Sequence, residues 1–215
     1  MKKYFFIAAF FFANVTFAQH QTPGVKLVQY VFNEFTPGTV KMKSGETSQQ
    51  LLNYNIITNE MVFENNASYA AIADPKNVDT VYIASIKFIP LNNKFYEVLV
   101  KGNTPLLYES TASVSEPGAS IGYGGTSTTT ASSSYQSLLR DGGAYSLKLP
   151  DGFKVIAKHQ FLILKGGKLE KAGSEKQLSK VFPDKKEMIN NLSKKYHTDF
   201  SKPEDVARLV KQIEQ

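Results

Sequence analysis

Three histidines, at positions 20, 159 and 197, are the side chains of this 215-residue chain best suited to moving a proton or holding a metal. His159 is the candidate base, because a serine hydroxyl or a carboxylate beside it would make the nucleophile–base pair of a hydrolase. No serine is singled out for that role. The chain lacks Gly-x-Ser-x-Gly, the turn that presents a nucleophile at the end of a strand. An ordinary place at the edge of a sheet is therefore the preferred reading of His159, with catalysis as its rival. His20 falls in a polar leader, and His197 at a helix end, where positive charge complements the dipole. Without His-x-His or His-x-x-x-His spacing no metal site is expected. Cysteine is absent, which removes disulfides, thiolate catalysis and Cys-ligated zinc. No cofactor is implied.

Three other stretches invite a functional reading. Gly122-Tyr123-Gly124-Gly125 has the glycines of a phosphate loop, but no Lys-Ser/Thr follows and no helix opens there, so the cradle of backbone N–H groups has no basis. Residues 110–137 are almost entirely Ser, Thr, Gly and Ala, too poor in apolar surface to offset the entropy of ordering them. That composition predicts a disordered insert. Its two large aromatics, Tyr123 and Tyr135, are the binding candidates: they would dock on a sugar or peptide, or pin the loop to its own sheet. The lysine pairs 185–186 and 194–195 alternate with Asp184 and Glu187, the pattern of a solvated helix face. Asn66-Ala67-Ser68 fits a glycosylation acceptor, but nothing in the chain points to a host that would use it.

The elements that must position these residues follow from periodicity. Residues 1–18 carry Lys2-Lys3, then an apolar run, then Thr16-Phe17-Ala18 with small residues where a signal peptidase reads, which predicts cleavage between Ala18 and Gln19. Its apolar part would reach only about 22 Å as a helix, short of the roughly 30 Å of a bilayer core. No later segment is long and apolar enough to serve as a span, so an exported, soluble chain is expected. Without Lys2 and Lys3 the net charge falls from +6 to +4, too small and too dispersed for a nucleic-acid footprint.

Residues 39–109 alternate polar and apolar in short runs split by turn signals: Ser44-Gly45, Thr58-Asn59, Asn65-Asn66, Asp74-Pro75 and Leu91-Asn92-Asn93. No helix of crossover length intervenes, so the strands form an antiparallel meander. Before it, Pro37-Gly38 is expected to turn the chain. Beyond the insert, residues 144–149, 153–157 and 160–165 resemble strands, and Gly166-Gly167 a hairpin. From Ser174 the period becomes helical, with stripes at Leu178, Val181 and Phe182, at Met188, Ile189, Leu192 and Tyr196, and at Val206, Leu209, Val210 and Ile213. Ser201 with Glu204 is the expected capping box of the last helix. The fold class is α+β, a mainly antiparallel sheet with C-terminal helices packed on it. Its parts are a signal peptide at 1–18, a β-rich domain at 19–172 and a helical segment at 173–215.

The short signal ending in Phe17-Ala18-Gln19, the hairpin Leu52-Asn53-Tyr54-Asn55 with Glu60-Met61-Val62-Phe63, and the helix start Val181-Phe182-Pro183-Asp184-Lys185-Lys186 resemble uncharacterised exported proteins of Bacteroidota-type bacteria. The resemblance implies a periplasmic or outer-surface location and carries no catalytic residue. The function expected is non-enzymatic binding or scaffolding in the envelope, with a protein or glycan as partner. A secreted hydrolase built on His159 with a nearby serine or carboxylate is the alternative.

Overall fold

The computed structural model describes residues 27–66, 68–115, 119–121, 125–127, 140–141, 144–145, 147, 149 and 151–214. Ala18, Gln19, His20, Tyr123 and Tyr135 lie outside these residues. The strands are β1 (Thr36–Met42), β2 (Thr47–Asn55), β3 (Glu60–Asn65), β4 (Ser68–Ala71), β5 (Val78–Ile83), β6 (Ile86–Leu91), β7 (Lys94–Val100) and β8 (Leu106–Ser115). Four short ones follow: β9 (Ala119–Ile121), β10 (Gly125–Ser127), β11 (Arg140–Asp141) and β12 (Ala144–Tyr145). β13 (Lys154–Lys165) and β14 (Lys168–Lys171) rejoin the main sheet. That sheet has ten antiparallel strands in the order β14-β13-β8-β7-β6-β5-β1-β2-β3-β4, while β9–β10 and β11–β12 form separate pairs. Three helices, α1 (Glu175–Val181), α2 (Lys186–Tyr196) and α3 (Pro203–Ile213), complete the α+β architecture.

The tight turns form where local chemistry allows positive φ. Asn92 and Asn93 have φ of 51° and 62°, and Gly166 and Gly167 have 56° and 76°. Two consecutive left-handed residues match the right-handed twist of the flanking strands. Asp74 stops β4 and caps a short 3₁₀ turn, accepting the Lys76 N–H at 3.1 Å.

Four expectations fail, three for a long-range reason and one for a local one. Pro37-Gly38 is no turn but lies inside β1, between β2 and β5. A Cβ on Gly38 would stand 2.4 Å from the Tyr82 carbonyl oxygen and 2.8 Å from Leu52 Cδ1, so the close approach of strands selects glycine. Pro37 sits just past the last β1–β5 pair, where no ladder bond needs its absent N–H. The two strands expected at 153–157 and 160–165 are one, because β8 pairs continuously with residues 154–163 through Lys158 and His159. By the same ladder the Ser/Thr-rich span does not begin as a loop: residues 110–115 extend β8, Val114 is buried, and Thr126 and Ser127 lie in β10. Ser201 does not cap α3. Its N–H and hydroxyl both donate to Asp199 Oδ1, at 2.9 and 2.7 Å, and the N-cap is Lys202 with no side-chain bond. A reciprocal cap of that kind occurs instead at α1, where Ser174 Oγ accepts the Gln177 N–H at 3.2 Å and Gln177 Oε1 accepts the Gly173 N–H at 2.8 Å.

The sheet is curled. β2 and β6 are three places apart in its order, about 14 Å in a flat sheet. Yet the Tyr54 ring on β2 lies 6.0 Å from Phe88 on β6 and 6.4 Å from Phe95 on β7. The hollow so formed is filled by Val40, Leu52, Tyr54, Met61, Val81, Ile83, Phe88 and Phe95, all buried. A second core lies where Leu178, Ile189, Val206, Leu209, Val210 and Ile213 of the helices cover Val100, Leu106, Phe161 and Ile163. Lys165 and Lys185 fasten the helices by donating to the Val181 carbonyl at 2.6 Å and to the Ile213 carbonyl, at the C-terminal ends of α1 and α3. On the outer face the fully buried Asn53 bridges a bend before β1. Its amide accepts the Phe32 N–H at 3.1 Å and donates to the Phe32 and Glu34 carbonyls at 2.8 and 3.1 Å. A side chain there supplies bonds that the bent strand cannot.

Substituting Gly38→Ala is expected to cost about 2–3 kcal/mol by forcing β1 away from Tyr82. Urea unfolding measures this, and wild-type stability would mean that the strands are not this close.

Candidate functional site

Between the two cores, one face of the sheet carries its polar groups in rows set by register. Phe88 on β6 faces Glu97 on β7, Glu97 faces Tyr108 on β8, and Tyr108 faces Phe161 on β13. In the next row Ser110 faces His159. Alternation along each strand puts all six on one side of the sheet. Tyr108 and His159 stack with ring centroids 5.1 Å apart and planes 5° apart, and Tyr108 also lies 5.1 Å from Phe161.

His159 is therefore not beyond a strand but in the middle of β13, exposed where β14 stops covering the edge. Its Nδ1 is 3.1 Å from Ser110 Oγ. Burial lowers its pKa below the ordinary histidine value, which favours the neutral ring. The two parts of the expected dyad thus meet, but among the described residues the remaining parts of a hydrolytic site do not. Among the described residues no carboxylate binds the other ring nitrogen. Ser110 is only 8% exposed and sits in extended backbone, not on a sharp turn. Successive N–H groups of a strand point to opposite sides, so those of Ser110 and Thr111 cannot converge on an oxyanion.

Two carboxylates mark the two faces of this region. Glu109 lies 5% exposed on the opposite face, with Lys94 Nζ 3.0 Å from its Oε1 and Gln160 Nε2 donating to Oε2. Burial alone would raise its pKa, but the bonds from Gln160, Lys94 and Tyr96 outweigh it and hold the carboxyl below the ordinary value. Burial and the Glu109 charge together push the Tyr96 phenol up to about 12. Glu97 has no such company. It is half-buried between Phe88 and Tyr108, and among the described residues no cation or donor reaches it. Burial holds its pKa above the ordinary glutamate value. Glu97 belongs to no motif and is not among the candidates read from the sequence. The signal was present in the alternation Phe95-x-Glu97-x-Leu99, where a charge takes an apolar position.

Elsewhere, a groove of about 400 Å³ runs between α1 and α2, lined by Lys176, Lys180 and Lys186 with Glu175, Ser179 and Asn190. Lys185, one of the paired lysines, serves the end of α3 instead. His197 ends α2 in the left-handed conformation, φ 47°, a capping position. Among the described residues no group of three or more His, Asp or Glu could hold a metal ion, and no helix is long and apolar enough to cross a membrane. Comparison with protein-family models, curated proteins and solved structures gives no match.

A carboxyl with a raised pKa keeps its proton longer in the native state than in the unfolded chain. Glu97 therefore costs no stability below its unfolded pKa, and the penalty appears as the pH rises through its native value. Glu97→Gln, which keeps the shape and removes the charge, is expected to raise the melting midpoint at pH 7 by about 1–3 °C, discounted for partial exposure. The gain should vanish near about pH 4. A lower midpoint at pH 7 would reveal a stabilising partner for Glu97.

Proposed function

We propose that this protein is an exported, non-enzymatic envelope protein, a β-rich binding or scaffolding domain that meets a protein or glycan partner. One observation carries the non-catalytic part: the Ser110–His159 contact is a cross-strand pair fixed by register, in extended backbone, with a shielded hydroxyl and, among the described residues, no orienting carboxylate. Neighbours directly opposite in an antiparallel ladder touch without any catalytic purpose. Export is supported by the leader composition and cleavage pattern of residues 1–18, and the partner class by the polar and aromatic face around Tyr108 and His159. Tyr123 and Tyr135, the binding candidates read from the sequence, lie outside the described residues and remain a second candidate contact.

The 3.1 Å contact between Ser110 and His159 favours one other reading, a secreted hydrolase. A screen of peptide, ester and glycoside substrates against the wild type, Ser110→Ala and His159→Ala separates the two. No turnover above background in any of the three proteins is expected. Turnover that falls about a hundredfold or more in both variants, the size of a general-base contribution, would overturn the non-catalytic reading.

A further inference from the structure

We infer that the face carrying Glu97 is a binding site for an organic cation, an alkylammonium or guanidinium group of the kind borne by lysine and arginine side chains. The inference deepens the binding reading above by naming the chemistry that the face takes, and it rests on that reading. Its ground is a comparison within the molecule. Glu109 on the opposite face collects Lys94, Gln160 and Tyr96. Among the described residues, Glu97, half-buried on an adjacent strand, collects no cation or donor. A carboxylate removed from water and left without a counterion lowers stability. Stability given up at one position, in a fold that satisfies its other carboxylate in this region, is a feature of binding sites.

The surroundings choose the ligand. Tyr108 flanks Glu97 in register and His159 lies parallel against Tyr108, while Phe88 and Phe161 at the two ends of the row are buried in the cores and back the site without facing the ligand. Aromatic faces attract a cation through their quadrupole, and a carboxylate among them adds a full opposite charge. A divalent metal ion needs several oxygen ligands, which one carboxylate cannot supply. An anion would be repelled. A neutral sugar would use the rings but leave the charge of Glu97 uncompensated.

The test is an NMR titration of the protein, read at Glu97, Tyr108 and His159. The probes are N-acetyl-lysine methylamide, N-acetyl-arginine methylamide, spermidine and the uncharged N-acetyl-norleucine methylamide. The charged probes are expected to shift those residues and the norleucine compound to leave them in place. Glu97→Gln, a near-isostere expected to fold, should weaken binding about tenfold, the worth of one partly desolvated ionic contact. Tighter binding of the amino-acid probes assigns the cation to a polypeptide partner, and tighter binding of spermidine assigns it to a free polyamine; both support the site. The inference falls if no charged probe shifts these residues, if Glu97→Gln binds as tightly as wild type, or if the norleucine compound binds equally well. Hydrolytic turnover in the substrate screen would end the non-catalytic reading and leave these results standing. Failed cation binding without turnover would end this inference alone.

Discussion

Because side chains alternate between the two faces of a strand, the register of β7, β8 and β13 decides what each side of this molecule can do. Ten cross-strand pairs between β8 and β13 fix it, from Leu106 opposite Ile163 to Ser115 opposite Lys154. With that register Leu106, Phe161 and Ile163 face the helices, while Leu107 and Leu162 face the other side. A slip by one residue would turn Tyr108 and His159 away from Glu97 and bring Glu109 and Gln160 beside it. The C-terminal helices depend on the same ladder, since Phe161 and Ile163 of β13 and Leu106 of β8 all lie in the core they cover.

The two cores and the polar groups between them divide the work. The curled half, closed by Tyr54 against Phe88 and Phe95, needs no polar partner in its centre beyond the buried tyrosine. The helical half is held at its polar ends by lysines that reach across to orphan carbonyls, Lys165 at α1 and Lys185 at α3. Backbone irregularities are likewise met by side chains, as Asn53 meets the bend before β1. Of the two glutamates on β7 and β8, Glu109 is satisfied in this way, while among the described residues Glu97 is not. The same low-dielectric environment that strengthens the Lys94–Glu109 pair makes a lone carboxylate costly.

Much of the fold was legible because its signals are local. Asn59, Asn92, Asn93, Gly166 and Gly167 accept positive φ wherever they stand, so the turns could be placed from composition. The apolar stripe of α3 was legible in full: Val206, Leu209, Val210 and Ile213 are all buried. What failed depended on competing partners, most of them distant in the chain. Pro37-Gly38 looks like a turn until Tyr82 and Leu52 crowd it from both sides. Lys158-His159 looks like a break until β8 pairs across it. Ser201 looks like a cap until Asp199 claims its hydroxyl. At the site, His159 was legible as the one histidine worth following, but its partner was not, because nothing local distinguishes Ser110 from the serines and threonines around it. Glu97 was overlooked for the opposite reason: a charge at an apolar position becomes informative only once both of its strand neighbours prove to be aromatic.

Everything argued for this face requires that two glutamates on neighbouring strands live in opposite electrostatic environments. Carbon-13 NMR of the side-chain carboxyls across an acid titration measures this directly. The account predicts that Glu97 titrates above the ordinary glutamate range and Glu109 below it. Matching midpoints, or the reverse order, would contradict the register and the site built on it.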